Sequence, residues 1–140
     1  MTLSVLLLVE AGAWVAQAIE TDVAGRGVTQ AAAVQDLARN AILRRELGGD
    51  ETEPVAEGYR PAYAEGERAP FMPFTILAWR GDRAVVYGVT DGEHEGSGCD
   101  AYIRLDVRVG SAGPGLVIAA ADRALDAVRR ARAFLDGRDP

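Results

Sequence analysis

Two constellations in the chain could do chemistry. Glu20 and Asp22 stand one residue apart where an apolar run ends. A pair of carboxylates at a strand end can begin a two-metal phosphoryl-transfer site, but that chemistry needs further ligands converging on ions about 4 Å apart. The first fifty residues offer no second acidic cluster on core elements, so the pair reads as a solvated strand end bounding a turn. His94 and Cys99 share one loop with Glu93, Glu95 and Asp100. These residue types ligate zinc, yet their spacing matches no zinc motif, and a glycine-rich loop does not preorganise a site. A Cys–His nucleophile would also need an orienting group and an oxyanion hole. The stretch 91–98, DGEHEGSG, reads as a polar loop built from ordinary turn residues.

Two further features suggest phosphate or nucleic-acid contact. Ser111 to Gly115 precedes a helical segment, and helix N-termini can hold anions on free backbone N–H groups. Pro114 removes one donor and no Lys-Ser/Thr follows, so the segment reads as a strand-to-helix turn with proline near the first helical position. Arg123, Arg129, Arg130 and Arg132 make the last helix locally basic. Arginine is also a strong helix former on solvated faces, and that is the reading preferred. No catalytic residue, cofactor or metal site is assigned, and the chain is not expected to be an enzyme.

Composition sets the outer limits. The 140 residues are 49% hydrophobic and 26% charged, enough for one ordinary core or two very small ones. The formal charge of −6 argues against general nucleic-acid binding and suits a basic protein partner. All fifteen basic residues are arginine, which removes lysine chemistry such as a Schiff base or a P-loop ligand. A single cysteine cannot close an internal disulfide, which fits a reducing compartment, and a cytoplasmic location is expected.

The elements that would position these residues follow from periodicity. Leu3 to Glu10 is apolar on nearly both faces and reads as a central strand. Ala11-Gly12 is a tight hairpin signal, and Ala13 to Thr21 returns with Val15 and Ile19 on one face and Trp14, Ala16 and Ala18 on the other. Arg26 to Val28 is a short third strand. Thr29 caps a helix whose apolar stripe includes Leu37, Ala38 and Ile42, with Gly48-Gly49 as its stop. Residues 50–73 interleave glutamates with prolines and read as an acidic, Pro-rich strap or linker, parts of which dock through Tyr59, Tyr63 and Phe71. Strands then follow at 75–80, 84–90 and 102–109, the last with Ile103, Leu105, Val107 and Val109 on one face. A helix over 116–136 closes the chain, with Ala121, Ala124, Leu125, Val128, Ala131 and Leu135 as its apolar stripe. Trp14, Leu37, Ile42, Trp79, Leu105 and Val128 are the expected core. The class is α+β, as two β-β-β-α lobes over 1–49 and 74–140.

Trp14-Val15-Ala16-Gln17, then Glu20 and Asp22, then Gly27 and Thr29 at the mouth of an alanine-rich helix, resembles the HicB-type antitoxin domain over residues 3–48. The resemblance implies a truncated ribonuclease-H-like β-β-β-α-β fold without a working catalytic centre. It also implies a protein partner, a small basic HicA-like toxin, with a larger complex as the alternative; self-association is expected of such a binder because an open partial sheet leaves an unpaired edge. Family members that bind DNA carry a C-terminal recognition module, and Gly110 to Pro140 offers one helix and no second recognition helix, so DNA binding is not expected. Glu20, Asp22, Arg39, Arg45, Glu51 and Glu53 are the candidate partner contacts. Two alternatives stand beside this reading: an accessory subunit of a larger assembly, and a small metal-dependent nuclease using Glu20 and Asp22.

Overall fold

The computed structural model describes residues 2–46, 58–69, 74–80, 83–89 and 101–135. Its elements run β1 (Thr2–Glu10), β2 (Ala13–Ala18), β3 (Ala24–Gly27), α1 (Gln30–Glu46), α2 (Tyr59–Glu65), β4 (Glu67–Arg68), β5 (Phe74–Arg80), β6 (Arg83–Val89), β7 (Ala101–Val109) and α3 (Pro114–Leu135). The expected α+β class is what the structure has. Among the described residues, seven strands join in one mixed sheet of order β3-β2-β1-β7-β6-β5, with β4 also paired to β7. The two β-β-β-α runs therefore meet in a single sheet. Their joint is the parallel pairing of β1 with β7, which sets Leu3 beside Leu105 and Val5 beside Val107. A strand apolar on both faces needs neighbours on both edges, and β7 supplies the second one.

Local chemistry explains the first half. Glu10 pairs with Ala13 across a two-residue turn in which both Ala11 (φ 42°) and Gly12 (φ 81°) are left-handed. That is the backbone a type I′ hairpin demands. Thr29 Oγ1 accepts from the Ala32 N–H at 3.0 Å and so caps α1 as its sequence position requires. α1 lies so close to β3 that a Cβ on Gly25 would come 2.1 Å from Leu37 N and 2.6 Å from Ala33 O. Only glycine permits this approach of helix backbone to strand.

Around β1 and β2 the sheet is covered on both faces. Leu3, Val5, Leu7, Ala16 and Ala18 meet Ala33, Val34, Leu37, Ala38 and Ile42 of α1 on one side. Leu6, Leu8, Val15 and Ile19 meet Tyr59 and Ala120–Ala121 on the other. The alternation expected for the first two strands is thus the division between two cores. Leu37 and Ile42 are buried, while Trp14, Leu105 and Val128 are half-buried. The side chain of Trp79 lies outside the described residues. One position needs correction: Leu125, placed on the apolar stripe of the last helix, is 45% exposed. It lies at the margin of the apolar arc, next to Ala121, and the alanines of α3 let the helix sit close enough to bury Ala120, Ala121, Ala124 and Ala131 alone.

Residues 58–69 of the acidic strap dock, while Phe71 lies outside the described residues. α2 and β4 lie within that stretch, and Tyr59 is fully buried. No helix among the described residues is long and apolar enough to cross a membrane.

Candidate functional site

The two carboxylates singled out by the sequence flank the turn between β2 and β3, and each already has a partner. Glu20 is exposed and accepts the Ser4 N–H at 2.7 Å and the Ser4 hydroxyl at 2.8 Å, tying the turn to the start of β1. Arg44 of α1 reaches Asp22 at 2.9 Å, a charge contact whose geometry falls short of a hydrogen bond. The carboxylates are drawn to different elements and do not converge. Among the described residues, no three His, Cys, Asp or Glu side chains stand where they could hold a metal ion.

The other candidate contacts divide similarly. Arg39 is held by Asp36 at 2.6 Å, one turn away on α1. The Arg45 side chain and residues Glu51 and Glu53 lie outside the described residues, as do His94 and Cys99. Ser111 to Gly115 forms the expected strand-to-helix turn, with Pro114 as the first residue of α3. Asp126 and Arg130 form an exposed pair at 3.3 Å.

The structure assembles one polar cluster that sequence periodicity does not show. Gln17, fully buried on β2, turns its amide nitrogen to the carbonyls of Ala18 and Val23. Its amide oxygen accepts from Arg123 Nε at 2.9 Å and Nη2 at 2.6 Å. Arg123 Nη2 also donates to the Tyr59 hydroxyl at 2.8 Å, and the guanidinium carbon stands 5.4 Å from the centre of that ring. The Tyr59 hydroxyl in turn donates to the carbonyl of Leu116. One half-buried arginine thereby fastens β2, the strap and α3 together. A guanidinium partly withdrawn from water in this way needs acceptors, and Gln17 and Tyr59 provide them. The only hint in the sequence is a polar residue, Gln17, on an otherwise apolar face.

α1 and α3 approach one another over the β2–β3 turn and leave a cleft of about 100 Å³ lined in part by Asp22, Asn40, Arg44, Arg123, Asp126 and Arg130. Each of its three guanidiniums already faces an acceptor within the chain: Arg44 faces Asp22, Arg123 faces Gln17, and Arg130 faces Asp126. Beside the cleft, α1 closes the sheet's first edge. Asn40 Nδ2 donates to the Ala24 carbonyl at 3.0 Å, and Asp36 Oδ2 accepts the Arg26 N–H at 2.9 Å. These are outward groups of β3, the last strand on that side, so strand addition there would have to displace both side chains.

Elsewhere the surface carries exposed apolar residues: Val9 and Val28 at the hairpin end of the sheet, and Ile118 and Leu125 on α3. Val9 lies in register with Trp14, and Trp14 with Gly27, so this end presents a short apolar row. No protein-family model, curated protein or solved structure matches the chain.

Proposed function

We propose that this chain is a non-catalytic protein-binding module resembling HicB antitoxins, which binds and blocks or tethers a protein partner. The observation that carries the proposal is the internal use of Glu20 and Asp22, whose carboxylates brace a turn against Ser4 and Arg44. The element order supports it as well. An antiparallel β1-β2-β3 meander, a helix packed on one face, and a later strand parallel to β1 fit the β-β-β-α-β arrangement the resemblance implies. The partner surface is the exposed side of α1 with the Val9–Val28 end of the sheet, flanked by charged groups such as Glu20 and Arg39. An overall charge of −6 suits a small basic partner such as a HicA-like ribonuclease, and rim charges of this kind act mainly on association rate.

One observation favours a second reading, an adaptor subunit in a larger assembly. β7 and the strap are built into the same sheet as the HicB-like elements, so those elements are not a free-standing module. The test is reconstitution. The chain is mixed with the small basic protein that co-purifies with it, and RNA cleavage by that protein is followed. Stoichiometric inhibition is expected. RNA cleavage by the chain itself, dependent on a divalent ion and abolished by Glu20→Gln, would overturn the proposal in favour of a nuclease.

A further inference from the structure

The outer face of α3 carries a stripe whose spacing and charge order are self-complementary. Ile118, Asp122, Leu125, Arg129 and Arg132 recur at intervals of four, three, four and three residues, which places them along one seam of the helix. All five are exposed, Ile118 at 57% and Leu125 at 45%. The opposite arc, with Ala120, Ala124 and Ala131, is buried against the sheet and α1. Among the described residues, neither Asp122 nor Arg129 has an ion-pair partner, whereas Asp126 and Arg130, one residue further round, pair with each other.

We propose that α3 is a self-association helix, on which a second copy of the chain docks its own α3 antiparallel about Leu125. The inference deepens the self-association expected of a HicB-like binder, and it rests on that reading only for the expectation that copies meet at all. Antiparallel packing about a two-fold axis brings each side chain opposite one equally far from the axis. Leu125 then meets Leu125 of the second copy. Asp122, three residues before Leu125, comes beside Arg129 of the second copy, four residues after it, an offset of about 1.5 Å that long side chains span, and by symmetry the same contact forms twice. Ile118 comes opposite Arg132 of the second copy, whose methylene stem covers apolar surface while its charged head stays in water. The same stripe packed parallel would set Asp122 on Asp122 and Arg129 on Arg129, so charge order selects the antiparallel arrangement. Two copies at −6 repel at long range, which makes this local complementarity the feature that brings these faces together.

The experiment is sedimentation of the full chain over a concentration series at moderate salt. It compares the unaltered protein, Asp122→Arg, Arg129→Asp, and the double exchange. Each single reversal sets like charges opposite one another twice and is expected to weaken dimerisation about tenfold or more. The double exchange restores opposite charges and is expected to recover the original affinity within about threefold. All three variants change exposed residues, and circular dichroism checks that each keeps its fold. A protein that is monomeric throughout, a dimer indifferent to either reversal, or a double exchange that fails to recover would each overturn the inference. Partner binding is measured separately on the monomeric single variants. Loss of self-association with partner binding retained leaves the binding proposal standing, and loss of partner binding in a dimeric protein counts against that proposal alone.

Discussion

The two long helices treat their polar residues in opposite ways. α1 turns several of its polar groups back onto the fold: Asp36 serves Arg39 and the Arg26 N–H, Asn40 caps Ala24, and Arg44 reaches Asp22. Among the described residues, α3 does this only with Arg123, and it leaves Ile118, Asp122, Leu125, Arg129 and Arg132 exposed. The difference comes from what each helix covers. α1 closes a sheet edge whose outward N–H and C=O groups need partners, so its side chains are recruited to the backbone. α3 lies across the sheet through alanines and has no edge to close on its outer side. A helix that satisfies an edge spends its inward and edge-facing polar groups on the fold and keeps only its outer side for contact. A helix with an unpaired, ordered stripe has surface left for another molecule.

The comparison can be broken most severely at the contact between α1 and β3. Gly25→Ala places a methyl group into the backbone of Leu37 and Ala33, and neither can yield without moving the helix. A loss of about 4 kcal/mol or more in urea unfolding is expected, or failure to fold. A mild effect would mean that α1 does not hold this edge. The next largest contrast pairs Leu37→Ala with Leu125→Ala. Leu37 is fully buried in the α1 core, and its truncation should cost about 2–5 kcal/mol. Leu125→Ala should change the stability of the isolated chain by about 0.5 kcal/mol or less, as a surface site does. Equal losses would erase the distinction between the helices.

A smaller effect is expected where the strap joins α3. Tyr59→Phe keeps the ring but removes the hydroxyl that links Arg123 to the Leu116 carbonyl. A cost of about 1–2 kcal/mol is expected, since both partners stay partly withdrawn from water. The smallest concerns Tyr63, beside Asp106 and Arg108 on the same face of the sheet. Burial pushes its phenol above the ordinary value of 10.0. The unfolded chain therefore releases that proton first as pH rises, so stability is full below pH 10 and falls as pH climbs from there toward the folded-state pKa. Tyr63→Phe should flatten that alkaline slope, which thermal unfolding across the range would show.

Much of this architecture is legible in the sequence, and the reason is local. β1, β2 and β7 show strand periodicity, Thr29 and Pro114 mark helix starts, and Ala11-Gly12 marks a turn, all within a few residues of the feature they specify. Features that depend on distant partners are not legible. α2 is seven residues long with Pro61 in its first turn, and it is held because Tyr59 finds Leu116, 57 positions away. Gln17 looks like an ordinary member of a strand until Arg123, 106 positions on, arrives beside it. The roles of Glu20 and Asp22 were open for the same reason. Whether a carboxylate pair gathers metal or braces a turn depends on Ser4 and Arg44, which no local motif names. The exposure of Leu125 is decided by how deeply the neighbouring alanines let α3 settle.

The central claim is that the chain works by holding another protein. Native mass spectrometry of the chain isolated at low salt stress from the cells that make it tests this most directly. The account predicts a stoichiometric complex with a second, different protein, persisting when Glu20→Gln and Asp22→Asn are introduced together. A chain that carries no other protein, and whose only activity is a metal-dependent one lost in that double variant, would contradict it.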